Sequence, residues 1–149
     1  MRIVIQRVTR ASVSIEGRVE SAIEKGMMVL LGVGYADTDD DIDWLVKKTI
    51  NLRIFDDSEG VMNLSVKDVE GNILVVSQFT LMASCKKGNR PSYIHAASPD
   101  VSVPLYERFC QRLSESLGKP VSTGVFGADM QVELVNDGPV TIVIDSKDK

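Results

Sequence analysis

Histidine and cysteine are scarce in this sequence, and their scarcity excludes several kinds of catalytic centre. The 149 residues include one histidine, His95, and two cysteines, Cys85 and Cys110. A Ser-His-Asp triad, a Cys-His pair and a multi-histidine metal site would all compete for the same histidine in one chain. We therefore expect no metal ion and no other cofactor, and a chemistry that is not centred on histidine.

Long hydrophobic runs and closely spaced cysteines are also missing. The longest apolar run, residues 27–33, contains Gly32 and is far shorter than the roughly 20 residues that a membrane-spanning helix needs. The opening MRIVIQRVTR lacks the apolar core and cleavage site of a signal peptide. The cysteines are too far apart in sequence for a C-x-x-C motif, so we expect free thiols. These features predict a cytoplasmic protein without a membrane association.

Positive charge is not in excess, since 17 basic and 21 acidic residues give a formal net charge of −4. This balance argues against a protein that binds nucleic acid through a general positive charge. A local basic patch remains possible, although a solvated surface is the ordinary interpretation of such clusters. The basic clusters are Arg2, Arg7 and Arg10; Lys47 and Lys48; and Lys86, Lys87 and Arg90.

The periodicity of apolar residues predicts an α+β fold. Alternation or continuous apolar runs predict strands, and a spacing of three to four predicts two principal helices, the first with acidic residues at its N-terminus. Because the helices are inserted among hairpins, we expect mainly antiparallel sheets in a single compact domain, residues 1–149. The predicted strands are 2–8, 11–16, 19–24, 26–33, 72–83, 130–135 and 140–145, and the predicted helices are 37–55 and 103–118.

Three polar stretches are candidates for a functional site. SQFT, residues 77–80, ends an apparently buried strand, and KKGNRPSY, residues 86–93, places basic residues beside an aromatic that could hold a phosphate or a nucleotide sugar. NDGPVT, residues 136–141, puts Gly-Pro in a region that otherwise alternates like a strand. Each stretch also has an ordinary interpretation as a strand end, a surface loop and a hairpin turn, respectively.

Taken together, the motifs resemble a known family. RIVIQRVTRASV, GMMVLLGV, VVSQFTL, KKGNRPSY and FGADMQVELVNDGPVT occur in order along nearly the whole chain, and this pattern is similar to that of the D-aminoacyl-tRNA deacylases. In that family SQFT and NDGPVT are the paired signature motifs. The resemblance implies a homodimeric enzyme with active sites at the subunit interface, and the single histidine and two distant cysteines predict that it is metal-independent. Its implied reaction hydrolyses the ester between a D-amino acid and the terminal ribose of tRNA.

The resemblance also implies roles for individual residues. The SQFT motif places Ser77, Gln78, Phe79 and Thr80 at the catalytic site, and we expect Met130 and Arg7 at the substrate site. In the family the peptide bond that corresponds to Gly138-Pro139 is cis and is inserted into the partner's active site. Its carbonyls there hold the substrate ammonium and block the direction that an L side chain needs. We expect Arg7 to pin this loop, because a guanidinium offers five donors.

A backbone wall has consequences for substrate range. A pocket that selects by side-chain size separates substrates by roughly 10 to 200-fold, whereas a rigid main chain placed where the Cβ of the wrong enantiomer must lie excludes that enantiomer by overlap. Such a site should accept many D-amino acids and cannot exclude glycine, which has no Cβ. The resemblance implies the same, including action on glycine that has been attached to the tRNA for alanine.

The mechanism and one rival function stay open at this point. Backbone N–H groups of Phe79 and Thr80 could stabilise the oxyanion. Thr80 could instead be a nucleophile, but no base is evident beside it, so we favour assistance by the ribose 2′-hydroxyl while Ser77 and Gln78 orient the adenosine. The rival is a non-catalytic dimeric module associated with nucleic acid, in which the Gly-Pro turn only joins strands.

Overall fold

The computed structural model describes residues 1–149 and contains eight strands, two α-helices and one short 3-10 helix. The predicted α+β fold with two principal helices is confirmed. The elements in chain order are β1 (Arg2–Ile15), β2 (Arg18–Ile23), β3 (Gly26–Gly32), α1 (Asp39–Asn51), β4 (Phe55–Asp56), β5 (Met62–Leu64), β6 (Asn72–Ser77), the 3-10 helix (Phe79–Met82), α2 (Pro99–Leu117), β7 (Ser122–Thr123) and β8 (Gln131–Asp145).

The main sheet is mixed, so the prediction of mainly antiparallel sheets was not quite right. β1 is antiparallel to β2, β3 and β8, but β6 lies parallel to β3 and to β7. The parallel pairs arise because α1 lies in the connection from β3 to β6 and α2 in the connection from β6 to β7. A connection through a helix brings the chain back in the same direction, which a tight hairpin cannot do.

β1 is the central strand of this part of the sheet, because three strands pair with it. β8 follows one edge of β1 from Arg2 to Ser14, while β3 and then β2 follow the other edge. β8 has no second neighbour, so its outer edge is unpaired. β1 and β8 are each one long strand where alternation predicted two shorter ones.

NDGPVT does not form a hairpin turn, which was the ordinary interpretation of this stretch, but lies inside β8. One residue of β1, Arg7, faces four residues of β8, 137–140, because the register shifts between the pairs Gln6–Thr141 and Val8–Asn136. The chain therefore bulges out of the ladder and continues in the same direction, as strands do at a β-bulge. The Gly138-Pro139 peptide bond within the bulge is cis.

The two faces of the sheet bury two separate cores. Ile73 and Val75 of β6 contribute to a large core with α1 and α2, including Phe109. Their neighbours Leu74 and Val76 point to the opposite face, into a smaller core that contains no helix residue. This alternation follows from the two-residue period of a strand. β6 ends at Ser77 rather than continuing to residue 83, and its last residues open onto the helix-free face.

The ends of the two helices are specified locally. α1 begins with a capping box in which Thr38 and Asp41 satisfy each other's backbone N–H groups, and acidic residues fill its first turn as expected. α2 begins at Pro99, four residues earlier than residue 103, and ends at Leu117; the C-cap Gly118 follows, with a left-handed φ of 85°. Neither helix has the length and apolar composition needed to cross a bilayer. Cys85 and Cys110 are free, as expected.

Candidate active site

A pocket of about 260 Å³ lies where β6 ends, on the face of the sheet that no helix covers. One wall is formed by Ser77, Gln78 and Phe79. The other wall is residues 126–130, the segment that enters β8. Ser77 still pairs with Leu31 of β3, and the backbone N–H of Gln78 donates to the Leu31 carbonyl at 2.8 Å. The main chain of the first wall is therefore fixed by the sheet.

The 3-10 helix that follows gives this wall a set of backbone donors. Its first residues are Phe79 and Thr80, and the first N–H groups of a helix have no partner within that helix. These two N–H groups lie immediately after the pocket residues Ser77 and Gln78. The arrangement can serve a developing negative charge on an oxygen, because fixed backbone donors need no reorganisation.

Thr80 is exposed and does not line the pocket. Its hydroxyl oxygen accepts a hydrogen bond from the side-chain amide of Gln78. No carboxylate and no imidazole contacts this hydroxyl, so nothing in the structure would take its proton. A threonine hydroxyl is a poor nucleophile without such a base.

Arg7, Gly138 and Pro139 form a second group. Arg7 is 7% exposed; its Nε donates to the carbonyl oxygen of Asp137 at 3.0 Å and its Nη1 to that of Ile54 at 2.7 Å. Gly138 has a φ of 129°, and a Cβ on it would lie 3.1 Å from Nη2 of Arg7. The bulge is thus held by a buried guanidinium and passes close to it, at a position suited to glycine.

The two groups do not meet within one chain. Met130 lies in the pocket with Ser77, Gln78 and Phe79, whereas neither Gly138 nor Pro139 belongs to its lining. Both residues of the Gly-Pro pair are exposed. The structure therefore brings four of the predicted site residues together in the pocket, leaves Thr80 beside them, and places the remaining three at a separate surface.

Comparisons with known proteins show which family the chain belongs to. The family model described as D-Tyr-tRNA(Tyr) deacylase matches residues 4–145. The chain belongs to this deacylase family. A D-aminoacyl-tRNA deacylase of Bacteroides fragilis (strain YCH46) is 67% identical over 149 residues, covering 100% of this chain and 99% of the relative. A protein of the same name from Flavobacterium johnsoniae is 60% identical over the same coverage.

Two solved structures show the same architecture. The structure of a c-Myc DNA unwinding element binding protein is 42% identical, with a TM-score of 0.93 over 97% of this chain and 98% of that one. A probable eukaryotic D-amino acid tRNA deacylase has a TM-score of 0.82 at 20% identity, over 96% of this chain and 97% of that one. The second likeness shows a shared fold.

The pocket of this family member includes residues that sequence reasoning did not single out. Phe126, Ala128 and Asp129 line it, and Asp129 is its one ionisable side chain. The ring of Phe126 is held edge-on against that of Tyr106, with centroids 5.7 Å apart. A usable signal was present in the sequence, because FGADM begins the stretch FGADMQVELVNDGPVT, one of the motifs that resemble the family.

Other candidate chemistry is absent from the pocket. Burial raises the pKa of Cys110 to about 11, so its thiol stays protonated at neutral pH. No group of three or more His, Cys, Asp or Glu side chains is placed to hold a metal ion. The groups available for chemistry at the pocket are thus backbone N–H groups, one amide, hydroxyls and the carboxylate of Asp129.

Proposed function

We propose that this protein hydrolyses the ester bond of D-aminoacyl-tRNA and releases the free D-amino acid and tRNA. The observation that carries the proposal is the 67% identity, over the full chain, to a D-aminoacyl-tRNA deacylase. The pocket supports it, because Ser77, Gln78 and Phe79 line it together. The whole chain, residues 1–149, acts as one deacylase domain in this proposal, and the protein works in the cytoplasm, where tRNA is charged.

The pocket suits an ester that is already activated. In the proposed mechanism water attacks the carbonyl carbon, and the N–H groups of Phe79 and Thr80 stabilise the oxyanion, each such donor typically contributing about 10² to 10³ in rate. The ribose 2′-hydroxyl assists the attack, and the adjacent ribose oxygen leaves with a proton. Ser77 and Gln78 orient the terminal adenosine, and Met130 contacts the substrate from the opposite wall.

We further propose that the active protein is a homodimer in which the Gly138-Pro139 bulge completes the partner's pocket. Three observations support this arrangement. The outer edge of β8 has no strand partner, and unpaired edges are where strands of another chain dock. The Gly-Pro pair is exposed and lies outside its own chain's pocket. Arg7 fixes the bulge in advance of any contact with a partner, because its guanidinium donates one bond to the Asp137 carbonyl of the bulge and a second to the Ile54 carbonyl outside it.

In this dimer the main chain of the Gly138-Pro139 bulge distinguishes D-amino acids from L-amino acids. The carbonyls of Gly138-Pro139 hold the substrate ammonium, and the bulge occupies the direction that an L side chain would take. Because the wall contacts no side chain of a D-amino acid, the enzyme accepts many of them. It also accepts glycine, so glycine attached to the tRNA for alanine is a second substrate.

The decisive experiment measures deacylation of matched D-tyrosyl-tRNA and L-tyrosyl-tRNA by the purified protein. We expect turnover of the D-ester and at most slow turnover of the L-ester. Equal rates on both esters, or no turnover of either, would overturn the proposal. Glycyl-tRNA made on the tRNA for alanine, tested beside L-alanyl-tRNA, checks the second substrate in the same assay.

A second candidate function is binding to nucleic acid without turnover. It is favoured by the name of one structural relative, a c-Myc DNA unwinding element binding protein at 42% identity. Binding to uncharged tRNA over a salt series, measured beside deacylation, separates the two. A protein that binds tightly and never hydrolyses a D-ester would be such a module, whereas hydrolysis of the D-ester identifies an enzyme.

A further inference from the structure

A long stretch around the 3-10 helix contains no acidic residue, although the chain as a whole carries a charge of −4. No aspartate or glutamate lies between Glu70 and Asp100. Within this stretch Lys86, Lys87 and Arg90 are all exposed. None of the three takes part in a salt bridge or a side-chain hydrogen bond. Other exposed cations such as Lys25 and Lys67 are also unpaired, so the loop is distinguished by three unpaired cations within five residues and by the absence of acidic neighbours in sequence.

The loop that carries these cations is tied at its base. Ser84 and Ser92 form an isolated antiparallel bridge, with reciprocal N–H to carbonyl bonds of 2.8 and 2.9 Å. Residues 85–91 therefore project as a closed loop, and Gly88 makes its turn with a φ of 83°. The fixed base gives the three cations a defined position beside the 3-10 helix.

Exposed aromatic rings connect this loop to the pocket. Phe79 is 55% exposed and lines the pocket, and Tyr93, just after the loop, is 40% exposed. Their ring centroids are 5.0 Å apart at an interplanar angle of 63°. Neighbouring exposed aromatic rings at the edge of a pocket commonly mark a contact surface. The two rings thus link the pocket to the base of the loop that carries the cations, and we call Tyr93 with Lys86, Lys87 and Arg90 the track.

We propose that this track, Tyr93 with Lys86, Lys87 and Arg90, binds the single-stranded nucleotides that precede the terminal adenosine of tRNA. A base stacks on Tyr93, and the backbone phosphates contact the three cations. Exposed aromatics beside unpaired Lys and Arg are the combination by which proteins hold single-stranded nucleic acid without reading its sequence. An acidic peptide would use the cations but would leave the exposure of the tyrosine ring unexplained. The proposal rests on the proposed function, because the pocket is taken to hold the terminal adenosine.

The test compares two substrates that share the ester and differ in the nucleotides before it: D-tyrosyl-tRNA and D-tyrosyl-adenosine. Loss of one base–aromatic stack typically weakens binding by about 5 to 150-fold. We expect Tyr93→Ala to raise KM for the tRNA within that range with kcat little changed, and to leave kcat/KM for D-tyrosyl-adenosine unaltered. An equal loss on both substrates, or no loss on the tRNA, would overturn the proposal.

The role of the three cations is tested by measuring how tRNA binding depends on salt concentration. Replacing Lys86, Lys87 and Arg90 by Gln removes up to three phosphate contacts, which should reduce the slope of log Kd against log salt for tRNA by about 2. The matched control replaces Lys25, Lys47 and Lys67 by Gln as well. These three exposed lysines make no ion pairs and lie outside the loop, so the control removes the same amount of charge from other parts of the surface. An equal change of slope in both triple variants would mean that only net charge matters.

Binding to a fluorescent single-stranded ACCA oligonucleotide separates failure of this proposal from failure of the proposed function. Wild-type protein should bind it more tightly than Tyr93→Ala even if it hydrolyses no D-ester. Equal binding by both proteins would contradict the proposed nucleotide-binding track but would not contradict the proposed deacylase activity. Tighter binding to anionic lipid vesicles than to the oligonucleotide would also count against it.

Discussion

Nε of Arg7 lies 3.0 Å from the carbonyl oxygen of Asp137, the residue that precedes Gly138. Because Nη1 of the same guanidinium donates to the Ile54 carbonyl, Arg7 ties the bulge of β8 to the chain just before β4. Only a planar fork reaches both acceptors from one position. Arg7 is therefore a positioning residue for Gly138-Pro139.

Arg7→Lys should lower kcat/KM for D-tyrosyl-tRNA and narrow the ratio of D to L rates. A lysine ammonium at this position loses one of the two bonds, each worth about 1.5 to 3 kcal/mol for a charged donor, which corresponds to roughly 10 to 150-fold. Rates on both enantiomers measure the effect. Arg10→Lys is the control on the same strand, since Arg10 makes an exposed pair with Glu133. A lower melting temperature with an unchanged D-to-L ratio would show a purely structural role.

Gly138→Ala should reduce D-ester hydrolysis in a protein that stays folded. The new Cβ would lie 2.9 Å from Cγ2 of Val140 and 3.1 Å from Nη2 of Arg7, at a φ of 129° that L residues rarely adopt, and such strain typically costs about 1 to 3 kcal/mol. Gly60→Ala is the control, because Gly60 also has a positive φ but no atom within 4 Å of its Cβ position. Full activity of the Gly138 variant would mean that the bulge tolerates displacement.

Thr80→Ala should keep activity within about tenfold of wild type, because the backbone N–H that stabilises the oxyanion remains. The small loss reflects the side-chain amide of Gln78, which donates to the Thr80 hydroxyl. D-tyrosyl-tRNA ending in 2′-deoxyadenosine should be the poorer substrate for both proteins. Abolished activity in a folded variant, or an acyl-threonine detected by mass spectrometry, would restore the nucleophile mechanism.

Asp129→Asn tests whether the pocket's one ionisable side chain moves a proton. With the ribose 2′-hydroxyl assisting, we expect rates within a few-fold of wild type and the same pH dependence of kcat/KM. A general base would instead contribute about 10² to 10⁴ in rate. A drop of that size together with the loss of an acidic limb in the pH profile would assign proton transfer to Asp129.

Lys147→Met should lower the free energy of unfolding at pH 7. It should also reduce the amount by which this free energy falls between pH 7 and pH 3. Burial would raise the pKa of Asp41, but hydrogen bonds from Lys147 and Ser146 hold it well below its usual value of 3.8. A carboxyl with a depressed pKa stabilises the folded state above its usual pKa, and this contribution is lost as the pH falls below that value. Urea unfolding at pH 7 and pH 3 measures the difference. Lys149→Met, which removes only a contact with Trp44, is the control; an equal pH dependence in both variants would contradict the assignment.

The sequence by itself determined the family and the types of most strands and helices, and it pointed to four residues that line one pocket. Local periodicity was enough for α1, whose acidic first turn follows Thr38, and for β6, whose apolar run ends at Ser77. SQFT pointed to the pocket because three of its residues line one wall. Such features depend on neighbours within a few positions, which is the range over which sequence patterns are informative.

Only the tertiary structure decided what NDGPVT does. Asn, Asp, Gly and Pro favour a turn by local preference, but pairing with β1 on both sides of the bulge keeps the chain straight and presents Gly138 to Arg7, 131 positions earlier. Likewise, the parallel β3–β6 pair and the place of Asp129 in the pocket result from contacts between distant segments. Long-range pairing overrides local propensity because a strand gains its stability from the neighbours that it meets.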